Sequence, residues 1–211
     1  MKISLTDAGK RYNREWIFRH FNHTFTSGQS YAITGPNGSG KSTLLQVLTG
    51  GMYLNEGMCV WSLDNTINES GHPISPEDVY KDVSLCAPYM EVIEEMTFLE
   101  FLNFHQGFKK LLSGVSASSI ISLVGLDKAS DKQIRNYSSG MKQRVKLAQC
   151  IFSDTSIVLL DEPCTNLDSA GIELYHTLIR EYCSNRLVVV SSNDETEYSF
   201  CKERIRLQVN G

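Results

Sequence analysis

No run in this chain approaches the roughly 18 to 20 consecutive apolar residues that a membrane-crossing helix needs. Met1 to Trp16 alternates polar and apolar residues with no signal-peptide core. A chain neither integral to a membrane nor exported is expected. Basic charge is not in excess either. Lys and Arg number 20 against 24 Asp and Glu, for a formal net charge of −4, the wrong sign for a protein that coats nucleic acid through bulk charge. Any anion it binds must be gripped locally. The six cysteines, Cys59, Cys86, Cys150, Cys164, Cys183 and Cys201, include no CxxC pair, and most fall in apolar runs where a thiol acts as a small hydrophobe. With neither zinc-ligand spacing nor a disulfide framework visible, they read as reduced core residues of a cytosolic protein. Internal repeats, heptad arrays and low-complexity tracts are missing too. What remains is 211 residues, 41% hydrophobic and 21% charged, ordinary for one globular domain. That length can bury about 70% of the surface its unfolded chain would expose.

Strand signals bracket helix signals along the chain, the alternation that predicts an α/β fold: a mainly parallel sheet covered by helices on both faces. Gln29 to Thr34 runs into a glycine-rich turn. Ser42 to Leu48 then places Leu44, Val47 and Leu48 on one helical face before Gly50 and Gly51 end it. Ile157 to Leu160 and Leu187 to Val190 are continuous apolar runs, as central parallel strands are. Between them Ile172, Tyr175, Leu178, Ile179 and Tyr182 recur at helical spacing. Ile205, Leu207 and Val209 alternate with polar residues and predict a half-exposed strand at the sheet margin.

From about Pro88 to Asn136 no convincing strand is found. Two helical stretches separated by Ser113 to Ser116 read as an inserted helical lobe. Thr97 with Glu100 three residues on is a capping-box pattern, and Phe98, Leu99, Leu102 and Phe108 are expected to cluster on one face as core rather than partner surface.

Gly35-Pro36-Asn37-Gly38-Ser39-Gly40-Lys41-Ser42 fits G-x-x-x-x-G-K-[ST] and lies between a predicted strand and a predicted helix. In such a loop the glycines let successive N–H groups turn inward around a triphosphate, and the following helix presents its positive end to the same charge. Lys41 is the candidate to bridge the β- and γ-phosphates, Ser42 to place its hydroxyl on Mg²⁺, and Thr43 to donate toward the α-phosphate. Ile157 to Leu160 ends in Asp161 and Glu162, carboxylates at the carboxyl edge of a parallel strand. Asp161 would hold Mg²⁺, and Glu162 would orient or deprotonate an attacking water.

Asn136-Tyr137-Ser138-Ser139-Gly140-Met141-Lys142-Gln143-Arg144 resembles the signature of ABC transporter nucleotide-binding domains, at the family's usual distance before Asp161. The resemblance covers essentially the whole chain. Tyr12, 29 residues before Lys41, stands where the family places an aromatic that stacks on adenine, and Asn166-Leu167-Asp168 resembles the D-loop. It implies a P-loop NTPase fold of one domain, with residues 1–87 and 137–211 as nucleotide-binding core, an N-terminal β region, and 88–136 as a helical subdomain. It also implies ATP and Mg²⁺ as ligands. Ser138, Ser139, Gly140 and Met141 at a helix N-terminus would meet the γ-phosphate held by a second subunit, identical or similar, in a head-to-tail dimer.

The family pattern is not complete. Tyr137, Ser139 and Met141 replace the usual Leu, Gly and Gln, a change that Ser139 tolerates at negative φ. The Q-loop glutamine position falls at Pro88 or Tyr89, of which only Tyr89 carries a side-chain oxygen. The switch histidine position falls at Asn193, an amide that can donate a hydrogen bond without positive charge, so slow hydrolysis is expected.

The resemblance implies an ATP-hydrolysing subunit, peripheral to the inner face of the cell membrane, that energises a separate transmembrane permease subunit and does not bind nucleic acid. Coupling would use a groove near Ala87 to Met96, where Glu91, Glu94 and Glu95 either meet the partner or form a solvated acidic loop. A degenerate ATP clamp with little hydrolysis, and a non-transport ABC ATPase, are the alternatives.

Overall fold

The computed structural model describes residues 1–63 and 73–208. The chain opens with a long hairpin of β1 (Lys2–Tyr12) and β2 (Glu15–Thr26), turned at Asn13, whose φ of 54° suits a tight strand reversal. β3 (Ser30–Thr34) runs into the glycine-rich loop and α1 (Lys41–Leu48). β4 (Glu56–Ser62) returns to pair with β1. With the two-residue β5 (Pro73–Ile74) it completes a four-stranded antiparallel sheet in the order β2-β1-β4-β5.

The second sheet starts at β6 (Val83–Cys86). After it come three helices, α2 (Phe98–His105), α3 (Ala117–Leu123) and α4 (Ser139–Phe152). β7 (Ile157–Asp161), α5 (Ser169–Tyr182), β8 (Leu187–Ser191), the one-turn α6 (Glu195–Tyr198) and β9 (Glu203–Arg206) complete the chain. These strands form a five-stranded parallel sheet, β6-β7-β8-β3-β9. Every residue of β7 and β8 is buried, which is why both read as unbroken apolar runs.

Strand alternation positions the site. Ile157 and Leu159 point into a core layer shared with α1 and the antiparallel sheet, whereas Val158 and Leu160 point into the layer under α4 and α5. By the same period of two, Asp161 leaves β7 on the α1 side, and so does Ser191, its register partner on β8. Both stand at the carboxyl ends of their strands, the edge at which the loop between β3 and α1 also opens.

At the opposite edge, just before β8, the buried Arg186 donates to the carbonyls of Thr155 (2.6 Å), Ile151 (2.6 Å) and Ser153 (3.0 Å). Its charge is met by backbone dipoles at the C-terminal end of α4, where a cation is favoured.

The Thr97–Glu100 capping box is present at the start of α2. The expected stripe is not. Phe98 and Leu102 are buried together with Phe101, but Leu99 is 37% and Phe108 72% exposed. At about 100° per residue, Leu99 turns off the face shared by positions 98, 101, 102 and 105. The helix also ends at His105, before Phe108 is reached. Phe108 instead meets the exposed Phe104 edge-on, with ring centroids 5.1 Å apart.

β9 lies at the sheet margin and ends at Arg206; Val209, expected in that strand, lies outside the described residues. All six cysteines are free thiols, four buried and Cys59 and Cys201 partly so. Burial pushes Cys59, Cys164, Cys183 and Cys201 up to about 12 and Cys150 up to about 11. Among the described residues no helix is long and apolar enough to cross a membrane.

Candidate nucleotide site

The loop from Gly35 to Gly40 joins β3 to α1, and left-handed glycines shape it. Gly40, at φ 92°, is the N-cap of α1, and a Cβ there would come within 2.3 Å of Ile17 Cγ2. Only glycine satisfies both conditions. Lys41 is buried, and its Nζ donates to the carbonyls of Gly35 (2.8 Å) and Pro36 (3.3 Å), so the ammonium lies folded across the loop. The first turn of α1 leaves amide hydrogens unpaired beside it. Ser39 Oγ is wholly buried with no partner.

Asn37, Gly38, Gly40, Lys41, Ser42 and Thr43 line a cavity of about 400 Å³ together with Ile17 and Glu162. Unpaired amides, the Lys41 ammonium and the hydroxyls of Ser42 and Thr43 make up a donor set that suits phosphate oxygens.

Asp161, 4% exposed, lies behind this cavity and accepts a hydrogen bond from Ser191 Oγ at 2.7 Å. The exposed Glu162 follows at φ 43°, a left-handed conformation rare for glutamate. Its amide donates to Ser191 O (2.9 Å), while the amide and hydroxyl of Thr165 donate to its carbonyl (3.2 and 2.9 Å). Among the described residues no cluster of three or more His, Cys, Asp or Glu side chains is placed to hold a metal. Magnesium at Ser42 and Asp161 would therefore complete its oxygen shell with phosphate oxygens and water.

Asn193 reaches the loop from the turn after β8. Its Oδ1 accepts from the Gly35 amide at 3.1 Å, and its Nδ2 donates to Asn37 Oδ1 at 3.4 Å. Tyr89 receives a hydrogen bond from Gln46 of α1 at 3.4 Å. Burial raises its phenol above the ordinary value, and the nearby Asp161 charge adds to this. Tyr12 stands exposed at the end of β1 with its hydroxyl on Met52 Sδ at 3.3 Å, and is not among the residues lining the phosphate-loop cavity. Pro36 contributes its carbonyl to Lys41.

The signature segment lies elsewhere. Ser138 caps α4 by accepting from the Met141 amide (3.3 Å), and Ser139 is outside the left-handed region. Ser138, Ser139, Gly140 and Met141 border a second cavity of about 430 Å³ with Asn166 and Asp168. A Cβ at Gly140 would stand 2.8 Å from the Asn166 carbonyl, so close approach fixes that glycine. Asp168 Oδ1 caps α5 through the Gly171 amide (2.8 Å) and lies 3.5 Å from Arg144 Nη2. This cavity and the phosphate-loop cavity share no lining residue.

A third groove, about 420 Å³, runs between residues 88–94 and α4. Glu91 and Glu94 both line it, Glu94 paired there with Lys142 of α4 at 2.6 Å.

The family model described as ABC transporter matches residues 18–165. The chain belongs to the ABC transporter family. It is 29% identical over 216 residues to an uncharacterised ABC transporter ATP-binding protein of Bacillus subtilis, YybJ, covering 99% of this chain and 92% of that protein. It is also 29% identical over 196 residues to the lantibiotic transport ATP-binding protein SrtF of Streptococcus pyogenes, covering 90% and 79%. Among solved structures, a putative ABC transporter ATP-binding protein of Pyrococcus furiosus superposes with a TM-score of 0.80 at 21% identity, over 98% of both chains. A bacterial ABC transporter cassette solved as a dimer superposes at 0.79 and 23% identity, over 98% of this chain and 94% of that one. The fold is thus that of an ABC ATPase cassette: a parallel P-loop sheet with flanking helices and an antiparallel N-terminal sheet.

Sequence reasoning did not single out Ser191, Gln143 or Ile17. Ser191 was detectable as the polar residue that ends an apolar strand, as Asp161 ends β7. Gln143, whose Nε2 donates to Pro163 O at 2.7 Å, and Ile17 carry no local signal, because their partners lie 20 and more residues away.

Proposed function

We propose that this ABC cassette hydrolyses ATP and energises transport through a separate transmembrane permease, held at the inner face of the membrane by that subunit. The observation that carries the reading is the convergence of Lys41, Ser42 and Glu162 on one cavity, with Asp161 behind it. Lys41 and the α1 amides bind and orient the triphosphate, and Tyr12 is assigned to the adenine. Glu162 holds the water that attacks the γ-phosphate and takes its proton. Ser42 and Asp161 would hold Mg²⁺, which when bound neutralises charge developing on the phosphate oxygens. The chain is read as one domain, residues 1–87 and 137–211 forming the nucleotide core and 88–136 the helical subdomain.

The phosphate loop and the signature turn line separate cavities, which supports a head-to-tail dimer. Each ATP would then be closed by the Ser138–Met141 turn of the other subunit. Permease coupling is assigned to the groove at residues 88–94, and the name of the lantibiotic transport relative supports a transport role. One observation favours the clamp alternative. Asn193 spends both ends of its amide on Gly35 and Asn37 and brings no charge to the γ-phosphate.

The test uses Glu162→Gln, which removes the proton acceptor while keeping shape. With MgATP, size-exclusion chromatography with light scattering is expected to show a species of twice the 23.7 kDa chain, absent without nucleotide and lost in Lys41→Ala. A monomer at every ATP concentration would contradict pairing of identical chains.

A further inference from the structure

We infer that Glu197 is a positioning residue: its carboxylate tethers the turn that carries Glu162 to the turn that carries Asn193. Glu197 lies on α6, is 5% exposed and forms no ion pair among the described residues. Its Oε1 accepts from the Cys164 amide at 2.8 Å, and its Oε2 is buried with no direct hydrogen-bond partner among the described residues; burial raises the carboxyl above its ordinary value, an effect that the Ser192 hydroxyl and the Cys164 amide oppose. A carboxylate buried on these terms is costly unless the bond it makes matters. The proposal rests on the hydrolytic role assigned to Glu162.

Cys164 is two residues past Glu162, inside the turn that holds Glu162 at φ 43°. Such a conformation persists for a non-glycine residue only where its surroundings over-determine it. The restraints can be named. The Glu162 amide is bound by Ser191 O, its carbonyl by Thr165, the Pro163 carbonyl by Gln143, and the Cys164 amide by Glu197. Thr165 is local to the turn, Ser191 O belongs to the end of β8, and Gln143 reaches in from α4. Glu197 reaches it across 33 positions of sequence, from a helix that begins two residues after Asn193. Its own backbone is fixed, since the carbonyl accepts from the buried Tyr175 hydroxyl at 2.9 Å. With the Glu162 amide on Ser191 O, this gives two links between the two turns. Displacement of either turn then moves the water-handling carboxylate relative to the phosphate loop.

The test compares Glu197→Ala, which removes the acceptor, Glu197→Asp, which keeps the charge but withdraws it by one methylene, and Glu197→Gln, which keeps an oxygen at the same reach. Two readouts are taken. Hydrogen exchange of residues 162–166, in protein without nucleotide, is expected to quicken at least tenfold in Ala and Asp and to stay within threefold of the parent in Gln. Steady-state ATPase is expected to lose at least tenfold in kcat in Ala and Asp, with KM within twofold, while Gln retains at least a third of the parent rate. If Ala does not fold, Asp and Gln alone decide. Unchanged exchange in Asp, equal loss in Gln and Asp, or a parallel change of KM and kcat would overturn the tether. If the parent shows no turnover, the hydrolytic reading falls and the exchange measurement still decides whether Glu197 holds the turn.

Discussion

Asn193 is the position at which a single substitution should raise the rate. Its amide sits across the mouth of the phosphate loop, bonded to the Gly35 amide and to Asn37. When γ-phosphate oxygens are present, its Nδ2 is free to turn from Asn37, a 3.4 Å contact that is easily broken. It then offers one neutral donor. Removal of a preorganised donor from a transition-state oxyanion typically costs about 10²- to 10³-fold in kcat, and a charged donor makes a bond roughly twice as strong as a neutral one. Asn193 is such a neutral donor, so Asn193→Ala is expected to lose about 10²-fold or more in kcat, and the stronger charged bond of Asn193→His to gain about tenfold or more. Asn193→Ala also strips the Gly35 amide of its acceptor, worth about 1 kcal/mol, which appears as a severalfold rise in KM. The assay is phosphate release at saturating MgATP. An alanine variant within twofold of the parent, together with a histidine variant no faster, would refute the reasoning.

The remaining predictions concern stability and reactivity. Arg186→Met leaves three carbonyls without their charged donor. Such bonds contribute about 1.5–3 kcal/mol each, against the recovered desolvation of the guanidinium, for a net loss of about 2–4 kcal/mol by urea denaturation. A loss under 1 kcal/mol would contradict it, and nucleotide affinity should be unchanged because Arg186 lies at the opposite edge of the sheet from the phosphate loop. With Cys59, Cys164, Cys183 and Cys201 pushed up to about 12, only about one thiol in 10⁴ at each is ionised at pH 8. Iodoacetamide should therefore label the native chain about 10³-fold more slowly than the urea-unfolded chain, and comparable rates would show the thiols to be accessible.

Much of this architecture is legible because its signals are local. β7 is buried on both faces, so Ile157 to Leu160 reads as apolar without interruption, and Asp161 ends it at the sheet edge. The phosphate loop declares itself because backbone geometry admits glycine alone at Gly40. The face of α2 was misjudged because Phe108 lies past the end of a helix only eight residues long, and apolar spacing carries no information about where a short helix stops. Glu197 was beyond reach for another reason. It acts through a partner, Cys164, that only the folded sheet brings near. Sequence likewise places the signature beside no particular surface; its apposition to Asn166 and Asp168 arises where α4 and α5 pack.

The most direct test of the central claim is MgATP hydrolysis by the purified chain, measured as rate per subunit over a wide range of protein concentration, with Lys41→Ala and Glu162→Gln as controls. A rate per subunit that rises with concentration and vanishes in both variants is predicted, because each site needs the second chain's signature turn. A rate independent of concentration, or one that survives Glu162→Gln, would contradict the account.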